Sequence, residues 1–113
     1  MTAPVRLLRR LVLETAETVA DGSGGFAVTW IPQGTLWADV TARAGHEEFA
    51  GAAVRPRVRY RIVVRGAPIG APSRPRTDQR LREGARVFDI LTVTEQDAHG
   101  RHLEILAEEG VLA

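Results

Sequence analysis

The sequence contains no cysteine, no lysine and no asparagine. Without cysteine there is no disulfide, no thiol nucleophile and no thiolate metal site. With no lysine, all fifteen cations are arginine. Abundant alanine, glycine and proline point the same way, to the codon bias of a GC-rich genome. Long hydrophobic runs are also missing. The apolar stretches are short and broken by charge, so none could cross a bilayer, and no membrane partner is expected. The start, Met1 to Arg10, has no apolar core ahead of a cleavage site, so no secretory signal is expected. Synthesis in the cytosol fits these absences.

What is present is enough for one core. A chain of 113 residues with 44% hydrophobic residues is expected to fold as one domain spanning residues 1–113. The charges nearly cancel, at a formal net charge of +1. They are nonetheless segregated. Ten arginines lie between Arg55 and Arg86 against two acids, Asp78 and Glu83. From Phe88 onward acids dominate, and Arg101 is the one cation. Two readings follow. The chain carries unlike surfaces for unlike neighbours, or its basic and acidic strands pair within the fold.

The stretch from Arg55 to Arg65 reads as the central strand. Val58, Tyr60, Ile62 and Val64 fall on one face, and Arg57, Arg59, Arg61 and Arg65 on the other, with Val63 interrupting the basic row. Alternation of period two defines a half-buried strand, and a helix would scatter these residues around its circumference. Leu8 to Glu14 reads as a first strand with Leu11 and Leu13 together. Asp21-Gly22-Ser23-Gly24-Gly25 reads as a hairpin loop. Phe26 to Ile31 and Leu36 to Arg43 alternate as strands, separated at Pro32-Gln33-Gly34 by a bulge or bend. Ala44 to Val54 lacks alternation and reads as a short helix or mobile loop. Gly66 to Gln79 holds three prolines and reads as a long exposed loop. Arg80 to Arg82, Arg86 to Thr94 and His102 to Ala107 supply three more strands. The expected fold is mainly all-β: a small antiparallel barrel or sandwich, with one short helix or mobile loop and a long proline-rich loop.

No constellation supports catalysis. His99 and His102 have a spacing found in metal sites, but read as solvated loop residues. Glu47-Glu48 and Glu108-Glu109 are adjacent on one segment and do not converge as general acid and base must. Ser23 and Ser73 lack a nucleophile elbow. The Gly22 to Gly25 turn has no Gly-Lys-Ser/Thr sequel, so it is not a phosphate loop. Tyr60 and Phe88, near arginines, suggest the stacking platform of an oligonucleotide-binding barrel. Their alternation with Val and Ile instead marks them as core. Trp30 and Trp37 read as core anchors or buried interface residues.

The order of segments resembles the phage head–tail joining, or head-closure (stopper), proteins, including the head–tail adaptors of gene transfer agents. The matching pieces are Leu8 to Glu14, the Asp21 to Gly25 turn, Trp30, Leu36-Trp37-Ala38-Asp39-Val40 and Gly45-His46-Glu47-Glu48-Phe49. The arginine-rich strand, Gly84 to Leu91 and Leu103 to Glu109 complete the set. Gly66 to Gln79 is longer and richer in proline than the family's usual connection. The resemblance implies a β-barrel subunit that assembles into a homo-oligomeric ring between a portal-side adaptor and tail-side proteins. That ring would extend a channel for packaged double-stranded DNA, held without sequence preference, in a virion or phage-like particle assembled in the bacterial cytoplasm. The resemblance implies no enzyme activity, cofactor or metal. It makes Gly45, His46, Glu47, Glu48, Phe49 and Gly51 a candidate channel gate. Arg57, Arg59, Arg61 and Arg65, with Arg74 and Arg76 of the long loop, are candidate DNA- or partner-facing residues. The competing reading is a freestanding oligonucleotide-binding β-barrel, which the near-neutral charge disfavours.

Overall fold

The computed structural model describes residues 4–50 and 53–110, and leaves the side chains of 44–50 and 53–56 undescribed. Six strands follow in order: β1 (Arg9–Ala20), β2 (Phe26–Ala50), β3 (Ala53–Arg65), β4 (Gln79–Glu83), β5 (Arg86–Glu95) and β6 (His102–Gly110). Every neighbouring pair is antiparallel, and the order β1-β2-β3-β6-β5-β4 closes on itself where β4 meets β1. The all-β expectation holds, and of its two forms the barrel is the one adopted. Closure pairs the strand edges that a sandwich would leave open.

The alternation builds the interior. Leu11 and Leu13 of β1, Ile62 and Val64 of β3, Leu81 of β4, Phe88 and Ile90 of β5, and Leu103 and Ile105 of β6 form one buried cluster. Register puts them face to face: Leu13 opposite Leu81, Leu81 opposite Phe88, and Ile62 opposite Ile105. Tyr60 meets Phe88 edge to face, with ring centroids 5.1 Å apart. That geometry suits the ring quadrupoles and adds about 1 kcal/mol beyond burial. Tyr60 and Phe88 are thus core residues, as their alternation implied.

Local chemistry shapes the ladder. In the first hairpin loop the Asp21 carboxylate accepts from the amides of Ser23 and Gly25 at 2.8 and 3.1 Å. Gly22 and Gly24 both take φ of +82°, which L side chains resist. Pro32-Gln33-Gly34 is a bulge: Leu13 pairs with Gly34 and Glu14 with Pro32, leaving Gln33 over. Proline donates no ladder hydrogen bond, so the extra residue falls beside it. A second shift lies between Ala42 and Gly45, and a third between Ile90 and Thr92.

Two hairpins run past the barrel. The radius of gyration is 15.5 Å and the longest extent 52 Å, against about 13 Å expected for a compact chain of this length. At one pole β1 and β2 stay paired beyond Thr15, where β4 ends, through Ala16–Ala20 and Phe26–Trp30. The Gly66–Asp78 connection and the β5–β6 loop share this pole. At the opposite pole β2 and β3 stay paired through Gly45–Ala50 and Ala53–Val58, beside the β4–β5 turn.

Three expectations need correction. Ala44 to Val54 is not a short helix; among the described residues there is none. Its described backbone, residues 44–50 and 53–54, is strand, because an isolated helix this short, with two glycines, does not nucleate, and pairing between β2 and β3 satisfies the amides instead. Glu14 to Val19, polar in sequence and expected as a transition out of the first strand, instead continues it. Trp37 is no core anchor: it is 55% exposed. It sits opposite in parity to Leu36 and Ala38, which face inward, and so it points out of the wall.

Candidate assembly surfaces

On the barrel wall most of the β3 arginines are taken up by the acids of β6. The outward arginines of β3 lie beside the outward acids of β6, with Arg59 opposite Glu108 in register. Arg57 and Arg59 both donate to Glu108, at 2.9 and 3.0 Å. Arg61 pairs with Glu104, and Arg57 also reaches Asp89 at 3.5 Å. The basic and acidic segments therefore pair within the fold. Arg65 ends the row exposed and, among the described residues, meets no carboxylate. In the long connection, Arg74 donates to the carbonyl of Ala67 at 3.0 Å and Arg76 to Asp78 at 3.1 Å. Pro75 is fully buried, and Gln79 ties the segment to Thr15 at 2.8 Å. The six arginines singled out from sequence thus do not form one cationic patch.

Beneath the β2–β3 hairpin an inward-facing polar network caps the barrel. Arg9 holds Glu83 through two hydrogen bonds, of 2.9 and 2.5 Å. Arg86 holds Glu109 at 2.8 and 3.0 Å and donates to the Tyr60 hydroxyl at 3.1 Å. Its guanidinium also lies 5.0 Å from the Phe88 ring centre. The hydrogen bond from Arg9 holds the Glu83 carboxyl below its ordinary range, and that from Arg86 does the same for Glu109, both against the opposing pull of burial. The partner Arg86 is pushed up by Glu109. This network escaped sequence reading, though parity carried the signal. Arg9 is two residues before Leu11, Glu83 two after Leu81, Arg86 two before Phe88 and Glu109 two after Ala107.

On the outer wall Glu14 is buried, at 4% exposure. Burial alone would raise its carboxyl. Hydrogen bonds from Arg82 and Arg80, at 2.8 and 2.7 Å, overcome that and hold it low. Arg80 stacks 4.2 Å over the Trp30 ring. Trp30 is half-buried by this contact and anchors the β1–β2 hairpin to β4.

The two hairpins differ in what they present. The β1–β2 hairpin exposes Phe26 and Val28 on one face, at 74% and 59%, and Val19 on the other. The β2–β3 hairpin contains the candidate gate. Gly45, His46, Glu47, Glu48 and Phe49 lie in β2 opposite Val58, Arg57, Pro56, Arg55 and Val54. Their side chains, and Gly51 altogether, lie outside the described residues.

The phage head completion protein family matches residues 2–110. The chain belongs to that family. Membership makes it a structural component of a phage-like particle. A chain from the virion of a native gene transfer agent particle is 46% identical and superposes with a TM-score of 0.84. The match covers 99% of this chain and 100% of that one. The solution structure of a Shigella flexneri 2a protein is 27% identical, with a TM-score of 0.64 and 96% of each chain covered. The comparison with curated proteins gives no match. Among the described residues of this family member no three His, Asp or Glu side chains cluster as a metal site, and no helix is long and apolar enough to cross a membrane.

Proposed function

We propose that the chain is a structural head–tail connector, a stopper or adaptor subunit acting as a single domain without catalysis. Its copies form a ring between portal and tail of a tailed phage or phage-like gene transfer agent particle, and the ring extends the DNA channel. The observation that carries this reading is the 46% identity, over essentially the whole of both chains, to a chain of a gene transfer agent virion. The shape supports it, since hairpins at opposite poles give one subunit two distinct ends for unlike neighbours. In this reading Gly45, His46, Glu47, Glu48, Phe49 and Gly51 form the channel gate. Arg57, Arg59, Arg61, Arg65, Arg74 and Arg76 face DNA or a neighbouring protein. Partial neutralisation of the β3 row by Glu104 and Glu108 suits a channel, because phosphate contacts without sequence reading must stay weak enough for DNA to pass.

Electron cryo-microscopy of purified particles tests this. The expected result is a ring of this chain below the portal, with the β2–β3 hairpin directed at the channel. Particles that lack the chain, with free protein binding single-stranded oligonucleotides tightly at low salt, would overturn it in favour of an oligonucleotide-binding barrel.

A further inference from the structure

Three charges that meet no opposite charge among the described residues are complementary and lie on exposed surfaces. Arg10 of β1 stands opposite Trp37 of β2. On the other side of Trp37, β3 ends at Arg65, one step past the Val64–Ala38 pair. Trp37, Arg65 and Ser73 line the same open cleft of about 360 Å³. The row Arg10–Trp37–Arg65 is therefore an exposed indole between two exposed guanidinium groups. Among the described residues neither arginine meets a carboxylate.

The β1–β2 hairpin carries the counterpart. Glu17 and Val19 share one of its faces, with Ala27 paired to Val19 and Thr29 paired to Glu17. Glu17 is exposed and, among the described residues, meets no cation. Small residues across from both let the face approach a flat ring. A two-stranded hairpin with apolar side chains bare on both faces is marginal alone in water, so a covering surface is expected.

We propose that this hairpin of one subunit lies on the Trp37 wall of the next, Val19 covering the indole and Glu17 entering between Arg10 and Arg65. The two surfaces are different parts of the chain, so the contact is head-to-tail. Such contacts repeat from copy to copy, and close into a ring when the rotation between neighbours closes. The inference rests on the connector reading and names the contact that builds its ring. Exposed Trp and Arg are the residue types that dominate interface energetics.

The absence of cysteine makes the test clean. Val19→Cys and Trp37→Cys are placed together in the full chain, and particles carrying it are mildly oxidised. Within one copy the two positions are nine ladder steps apart, roughly 30 Å, far beyond disulfide reach. The expected result is a ladder of covalent multimers ending in a closed ring. The pair Val28→Cys with Trp37→Cys, from the opposite hairpin face, is expected to give none. Glu17→Arg is expected to lower particle assembly about tenfold through like-charge contact, with recovery when Arg10→Glu and Arg65→Glu are added. This charge swap stands independently if the Trp37 variant fails to fold. Particles holding a ring of this chain with no 19–37 crosslink, or with position 37 linked to a different protein, overturn the contact and leave the connector reading intact. Particles without the chain overturn both.

Discussion

The amide of Gly66 donates to the carbonyl of Arg101 at 2.7 Å, and the Gly100 carbonyl fills the space a Cβ on Gly66 would need. The end of β3 is thereby sewn to the β5–β6 loop by backbone alone. Gly66→Ala is expected to cost about 3 kcal/mol, since backbone rather than a flexible side chain must move. In thermal melts that is a loss of roughly 10 °C. Gly34→Ala is the control. Nothing lies within 4 Å of its Cβ position and its φ is ordinary, so a neutral effect or a gain of about 0.5 kcal/mol is expected. Equal melting of the two variants would refute the backbone clash.

Glu14 is buried and shared by Arg80 and Arg82, whereas the Asp78–Arg76 pair is solvated, with side chains 68% and 61% exposed. Glu14→Ala strands two guanidinium groups that keep some access to water. A loss of about 2 kcal/mol is expected, below the value for a fully buried pair. Asp78→Ala is expected within about 0.5 kcal/mol of the parent. Urea denaturation of the two variants measures the difference directly.

Glu14, Glu83 and Glu109 are all held below the ordinary carboxyl range when folded. The unfolded chain therefore takes up protons first as acid is added, and stability rises with pH across that interval. Full stability is expected above pH ~5, with progressive loss as pH falls through the folded values. Calorimetry from pH 3 to 7 reads this. Glu83→Gln together with Glu109→Gln is expected to shallow the acid limb. An unchanged limb would mean that the capping network contributes nothing to it.

Glu104 and Glu108 hold Arg57, Arg59 and Arg61 on the outer wall. Changing both acids to Gln raises the net charge by two from its value of +1. Binding to duplex DNA at 50 mM salt is expected to tighten about tenfold. The salt slope should steepen by roughly one unit per arginine released. Fluorescence anisotropy at two salt concentrations measures both. No change would mean that duplex DNA cannot reach this wall.

Strand positions and the inward row were legible wherever alternation was uninterrupted. Leu11 with Leu13, and Val58 to Val64, needed only the period of two. The Asp21 loop and the Pro32 bulge were legible because glycine, aspartate and proline restrict the backbone locally. Pairing was not legible, because Arg59 and Glu108 are 49 residues apart and no local preference sets their register. Of the two readings of Trp37, the core anchor rested on size alone: its parity already set it opposite the inward Leu36 and Ala38. The run from Gly45 to Ala50 was misread because its glycines and charges lack alternation, while its strand form comes from a partner later in the chain. Arg57, Arg59, Arg61 and Arg65 share the outer face of β3 as their alternation implied, but the acids that occupy three of them lie on β6, out of reach of any local reading.

β2 runs unbroken for 25 residues, from the tip of one hairpin, through the wall, into the other. The two ends of the subunit are therefore joined by one covalent rod. Its hydrogen bonds to β1 and β3 lie across the strand. A pull at either end loads those bonds in shear, together, rather than peeling them one at a time. The displaced residues at Gln33 and near Ala42 are the places where such a rod bends before it slides.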